Sequence, residues 1–224
     1  MNAPSSIHEI CLEVFAGVSA IVTHEIRNAL AIINESAGFL DDLAQMSGED
    51  GEVPSGRVKQ MATSVCAQVD RANRLMKNLN TFAHSGDVPV SRLDIKETLE
   101  LMTALTKRKA AARQVTVSLE SPDNLHITTH AFAIEALIYL YLIGIYESVP
   151  QKSRIHISAT QNGEQRISLK FTLEGDEELL VDKLQDSKSD ALLKALRADF
   201  EGGLRTIQVH LESLPVDSVV DRTS

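Results

Sequence analysis

Apolar residues recur at steps of three and four near the start of the chain: Phe15, Val18, Val22, Ile26, Ala29, Ile33, Ala37, Leu40 and Ala44. That is the period of an amphipathic helix, predicted over about 5–45. Gly48, Gly51, Pro54 and Gly56 interrupt it and predict a turn across 46–56. A second helix is predicted over about 55–84, where Val58, Ala62, Val65, Val69, Ala72, Met76, Leu79 and Ala83 alternate steps of four and three. Sustained over this length, the alternation is a heptad seam. Two long amphipathic helices joined by a short turn predict an antiparallel hairpin. A lone hairpin leaves one apolar face open. Two copies closing as a four-helix bundle cover it most simply, and docking on the rest of the same chain is the alternative.

The pattern then changes. Gly86 and Pro89 mark 85–92 as a linker. Residues 93–113 read as a helix and 115–119 alternate as a strand. Residues 129–149 form a helix apolar on most sides. Strands are predicted at 154–160 and 165–172 around Asn162-Gly163, a strong hairpin signal. A helix over 190–200 is predicted to end at Gly202-Gly203. Strands at 204–211 and 216–220 flank Pro215. The fold class is therefore α+β: a helical hairpin domain over 5–85, then a domain over 93–221 with helices on one face of a mixed or antiparallel sheet.

Composition narrows the partners. The 224 residues are 43% hydrophobic, as in ordinary globular proteins. A net charge of −9 argues against binding a nucleic-acid phosphate backbone. The longest apolar run, Leu137 to Ile145, is far shorter than the ~20 residues that cross a bilayer. No basic segment followed by an apolar core opens the chain, so no signal peptide is expected. Cys11 and Cys66 fall among apolar helical positions and make no disulfide framework. A cytoplasmic protein, with neither membrane nor nucleic acid as partner, is the expectation.

The chemistry is concentrated in Thr23-His24-Glu25-Ile26-Arg27-Asn28-Ala29-Leu30. At about 100° per residue, His24 points roughly 200° away from its seam neighbours Val22 and Ile26, into solvent. Gly17, Ala20, Arg27, Asn28 and Ala31 share or flank that face. The small residues Ala20 and Ala31 would let another protein approach the ring, and Arg27 and Asn28 could contact a phosphoryl group there. A neutral imidazole nitrogen is a good nucleophile near neutral pH, and in-line attack on an acyl phosphate needs an accessible ring. Glu25, if hydrogen-bonded to the other ring nitrogen, would fix the tautomer. A solvent-facing histidine with no role is the competing explanation.

The same eight residues resemble the H-box of sensor histidine kinases, which reads His-Glu-(apolar)-x-Asn-Pro-Leu, with Ala29 replacing the usual proline. Arg71-Ala72-Asn73-Arg74-Leu75-Met76, continued through Leu79, Phe82 and Ala83, resembles the family's second helix. The resemblance implies that His24 is the phosphorylated residue, Glu25 its acid/base partner, and Asn28 the residue that positions water when a partner is dephosphorylated.

Element order after Leu93 resembles the ATP-binding domain of the same family, and its nucleotide ligands are missing. Where the family carries Mg²⁺- and phosphate-holding asparagines, this chain has Leu140 and Gly144, and neither can ligate a hard cation. Where an Asp-x-Gly-x-Gly motif is expected, it has Leu173-Glu174-Gly175-Asp176-Glu177-Glu178, whose acids would repel a triphosphate. The stretch that should form the glycine-rich lid, Asp182 to Lys188, contains no glycine. A hairpin with an intact acceptor beside a degenerate ATPase-like α/β sandwich resembles the dimeric histidine phosphotransferases of the ChpT kind. Those take a phosphoryl group from the aspartate of one response-regulator receiver and pass it to another. The resemblance implies a homodimer that works with receiver domains and needs no cofactor. Two other readings stay open: a pseudokinase-like docking protein that carries no phosphate, and a divergent ATP-dependent kinase. No metal site is expected, since His126 and His130 have a His-x-x-x-His spacing without the glutamate a zinc helix uses.

Overall fold

A computed structural model describes residues 6–47, 54–163, 165–179, 181 and 184–215. Their contacts fall into two compact units: Ser19–Asn80 forms one, and Met1–Val18 with Thr81–Ser224 the other.

Helix α1 (Ile7–Ser47) is continuous, and α2 (Ser55–His84) follows it. Ser6 and Glu9 start α1 with a reciprocal cap: the Glu9 N–H donates to Ser6 Oγ at 3.3 Å and the Ser6 N–H to Glu9 Oε2 at 2.8 Å. In the hairpin unit the buried face of α1 carries Ile21, Val22, Glu25, Ala29 and Ser36, with Ile32, Ile33 and Leu40 half-buried. The predicted seam is thus rotated slightly: Ala37 and Ala44 are exposed, while the polar Glu25 and Ser36 lie inside. The apolar stripe of α1 is wider than the contact one neighbouring helix makes, so part of it stays open. The heptad of α2 divides similarly. Val65, Ala72 and Leu79 are half-buried, whereas Ala62, Val69 and Met76 are exposed.

The α/β unit places helices against one face of a five-stranded sheet. Its elements are β1 (Ser91–Asp94), α3 (Ile95–Ala112), β2 (Thr116–Glu120), β3 (His126–Thr129), α4 (Ala131–Ser148), β4 (Arg154–Gln161), β5 (Arg166–Leu173), α5 (Ser187–Leu196), β6 (Asp199–Gly202) and β7 (Thr206–Glu212). The sheet order is β2-β4-β5-β7-β6, with β2 parallel to β4 and the other pairs antiparallel. Register aligns the buried rows: Ile155 faces Leu173, Ile157 faces Phe171, and Leu169 faces both Ala159 and Val209. These side chains are buried at alternate positions, the period-2 signature of a one-sided sheet. Tyr141 of α4 meets Phe171 edge-on, with ring centroids 6.1 Å apart, and lies at a 44° tilt to Phe200, with centroids 5.8 Å apart. The expected α+β class and the Asn162-Gly163 hairpin are both found, and Gly163 takes the positive φ of 81° that the turn requires.

Three elements differ from expectation. Residues 91–94 and 126–129 pair as a small antiparallel ribbon, β1 with β3. Each has only four residues, too few for periodicity to register. Helix α5 begins at Ser187, because the Asp186 side chain accepts from the Lys188 and Ser189 N–H groups. It stops at Leu196, because Arg197 takes a left-handed conformation with φ 51°. Asp199 to Gly202 therefore form strand β6, and Gly202-Gly203 lie at a hairpin turn rather than at a helix end. The strand expected at 216–220 lies outside the described residues. By length and apolar composition α1 and α4 could each cross a membrane, but most of the apolar surface of α4 is buried in the α/β core.

Candidate functional site

The His24 site lies within the hairpin unit. One and two helical turns set its neighbours: Ala20, Arg27, Asn28 and Ala31 lie within a turn or two of His24 on α1. The His24 side chain is 54% exposed and that of Glu25, the next residue, only 8%. Adjacent helical residues differ by about 100° in direction, so the imidazole looks outward while the carboxylate looks toward α2. Arg27, Ala20 and Ala31 are all exposed, leaving the approach to the ring open. Thr23 hydrogen-bonds back to the Ser19 carbonyl at 2.7 Å and keeps its side chain on the helix.

Arg71 of α2 pairs with Glu25 Oε2. The Asn28 amide nitrogen donates to Glu25 Oε1 at 3.3 Å and lies 3.2 Å from His24 Nδ1. Glu25 Oε1 itself is 4.0 Å from Nδ1, beyond hydrogen-bond reach. The direct contact between Glu25 and the ring expected from sequence is therefore replaced by a relay through Asn28. A buried carboxylate is stable only with compensation, which Arg71 and Asn28 supply. Arg71 was not singled out by sequence, because it stands beside Ala72 on a seam read for its apolar residues. The available signal was the polar row Ser64, Gln68 and Arg71, half-buried at helical spacing.

The α/β unit fills the places where the resemblance would put nucleotide ligands. At Gly144 an added Cβ would lie 2.6 Å from Leu184 Cδ2, and Leu184 is 4% exposed. A buried leucine thus packs directly on the glycine. Gly175 adopts a φ of 103° and is stapled by Arg205, which donates to its carbonyl and pairs with Asp176 at 3.8 Å. The single remaining glycine of that motif serves a turn. The donor set does not fit Mg²⁺ and a triphosphate: no oxygen ligand stands at 140 or 144, and Glu174, Asp176 and Glu177 are exposed acids. Among the described residues no group of three His, Cys, Asp or Glu side chains could hold a metal. His126 and His130 hold backbone oxygens separately, those of Asn124 and Pro89, each at 2.8 Å.

One buried carboxyl lies away from the hairpin unit. Glu135 of α4 is 3% exposed and accepts from the Ser85 hydroxyl. Burial pushes its pKa up to about 7, and the Ser85 hydrogen bond pulls the other way.

Solved structures of low sequence identity are similar to this chain. The chain is similar to the Acinetobacter baumannii histidine kinase AdeS, with 14% identity, 86% of this chain and 98% of that one covered, and a TM-score of 0.49. It is similar to a bacterial phosphotransferase, with 11% identity, 90% and 96% covered, and a TM-score of 0.48. It is also similar to the histidine kinase ThkA solved in complex with the response regulator TrrA, with 13% identity, 91% and 63% covered, and a TM-score of 0.46. By sequence it is 25% identical over 158 residues to sporulation kinase B of Bacillus subtilis, which covers 70% of this chain and 35% of that protein. The chain thus spans about a third of the length of that curated relative. No family model matches the sequence. The described residues themselves have N-terminal helices followed by an α/β sheet domain.

Proposed function

We propose that this chain is a histidine phosphotransfer protein of a two-component relay. A lone pair on a His24 ring nitrogen attacks the phosphorus of an aspartyl phosphate on a response-regulator receiver. The N–P bond forms, the P–O bond to the aspartate breaks, and the carboxylate leaves with the bonding pair. The reverse attack by a second receiver's aspartate carries the phosphoryl group onward. An acyl phosphate is reactive enough for this exchange without ATP, and the receiver supplies Mg²⁺. The observation that carries the reading is the pairing of an exposed His24, backed by Glu25, Asn28 and Arg71, with a second domain in which Leu184 occupies the space beside Gly144. The open row Ala62-Val69-Met76 on α2 supports a homodimer closed as a four-helix bundle. Arg27, Ala20 and Ala31 would form the rim that a receiver touches. A cytoplasmic location, with no membrane or nucleic acid bound, goes with receivers as partners.

The test mixes the full chain with phosphate-labelled receivers from the same cell. Label is expected on the wild type and none above background on His24→Ala. Labelling by ATP alone would replace the relay with a kinase. Receiver binding that persists without transfer would replace it with a docking protein.

A further inference from the structure

We infer that Arg71 is a positioning residue for His24: its ion pair with the buried Glu25 fixes the direction of the Asn28 amide, and so decides which ring nitrogen of His24 carries the proton. That this matters for phosphoryl transfer rests on the function proposed above; the positioning itself does not.

An ionised carboxylate only accepts hydrogen bonds, and an amide presents a donor end and an acceptor end. Arg71 pairs with Glu25 Oε2 and turns it toward α2, leaving Oε1 beside Asn28. The amide end facing Oε1 must then be the NH₂, because a carbonyl oxygen there would face a carboxylate oxygen. The same nitrogen lies 3.2 Å from His24 Nδ1. Nδ1 is therefore the acceptor of this contact, and the neutral ring carries its proton on Nε2. In that tautomer the Nδ1 lone pair is engaged by Asn28, and the outward Nε2 has no lone pair to offer. The arrangement is a resting one. Nε2 becomes a nucleophile when the proton resides on Nδ1, which requires Asn28 to turn its oxygen to the ring or to withdraw. While Arg71 holds Glu25, turning the amide brings two oxygens together. Arg71 thus sets the threshold for arming the histidine from a different helix.

The experiment reads the tautomer directly, by long-range ¹H–¹⁵N NMR of the histidine-labelled full chain at a pH where the ring is neutral. The His24 signals are identified by their loss in His24→Ala. Wild type should show mainly the Nε2–H form. In Arg71→Met the ratio should move about three- to tenfold toward Nδ1–H, the shift expected from one net hydrogen bond. Arg71→Lys should restore most of the wild-type ratio. Should Arg71→Met fail to fold by circular dichroism, Glu25→Gln makes the same test with Arg71 present, since its amide can accept or donate; it should show the same shift. A ratio unchanged in Arg71→Met, or in Glu25→Gln where that variant stands in, overturns the inference, and so does an Arg71→Lys ratio no closer to wild type than Met. No receiver is present in this measurement. Failed phosphotransfer would therefore sink the relay alone, and an Arg71-independent tautomer would sink only this inference.

Discussion

The hairpin unit and the α/β unit use their apolar residues differently. In the α/β unit, every apolar residue on the inner rows of β4, β5 and β7 is buried, as is most of α4. In the hairpin, alternate heptad positions of α2 stay open, and among its buried positions are a glutamate and a serine. In the unit with a closed core, the buried Leu184 packs on Gly144. The unit with the open row carries the exposed His24. A closed core is maintained by packing alone. An open row of apolar side chains is instead the mark of a surface that can be covered by another.

The largest effect should come from the open heptad row. Val69→Asp combined with Met76→Glu places two charges per chain on a surface that is 42% and 55% exposed at those residues in one chain. If two copies close over it, the desolvated charges cost several kcal/mol, about 3 or more. Analytical ultracentrifugation should then show the mass falling from two chains to one, with the melting of the α/β unit unchanged. A wild type that is already a monomer would leave the open row without cover, and the hairpin would then differ from the α/β unit for another reason.

Next comes the aromatic stack at the ends of α1 and α2. Phe82 is fully buried, with its ring centroid 6.2 Å from Phe15 and 4.8 Å from Phe132. Phe82→Ala should cost about 3–5 kcal/mol in denaturant unfolding. A loss confined to the hairpin's transition would reassign this stack away from the α/β unit.

The sequence made the long elements legible and the short ones obscure. Heptad spacing sufficed for α1 and α2, and Asn162-Gly163 for the β4–β5 hairpin. The four-residue ribbon strands had no period to detect, and β6 was absorbed into a helix because Arg197 is not a residue type that signals a helix end. At the site, exposure of His24 followed from helical angle alone. The inward turn of Glu25 did not, because its partner Arg71 lies 46 positions away, and pairwise placement across helices depends on register. The filling of Gly144 by Leu184 was equally out of reach, since a glycine in a sequence shows a missing side chain and not what replaces it.

The packing of Leu184 on Gly144 can be probed from either side. Gly144→Asn restores the residue type the resemblance leads one to expect. Its Cβ would sit 2.6 Å from Leu184 Cδ2, so a buried leucine must shift. The expected loss is about 1–3 kcal/mol, with no thermal shift on adding Mg-ATP. In a double-mutant cycle, Gly144→Asn should cost less when Leu184→Ala has made room. A Mg-ATP shift in the single variant would show that one side chain separates this unit from nucleotide binding, and the contrast between the two units would shrink accordingly.

The smallest effect concerns pH and the α/β unit alone. Burial raises Glu135 from its ordinary 4.5 to about 7. Between those values the folded chain holds a proton at this carboxyl that the unfolded chain has released. Stability therefore falls as pH rises from about 4.5 through about 7, and is level above that. This is the opposite of a salt-bridged carboxylate, whose contribution is lost on acidification. Glu135→Gln removes the cost of burying a charge. It should stabilise the protein by about 1–2 kcal/mol at pH 8 and have little effect near pH 4.5, by chemical denaturation at the two pH values. Equal effects at both would mean that the Ser85 hydroxyl and the surrounding packing keep Glu135 ionised throughout. The α/β core would then hold a stable buried charge, as the hairpin does at Glu25, and the two interiors would differ less than their packing indicates.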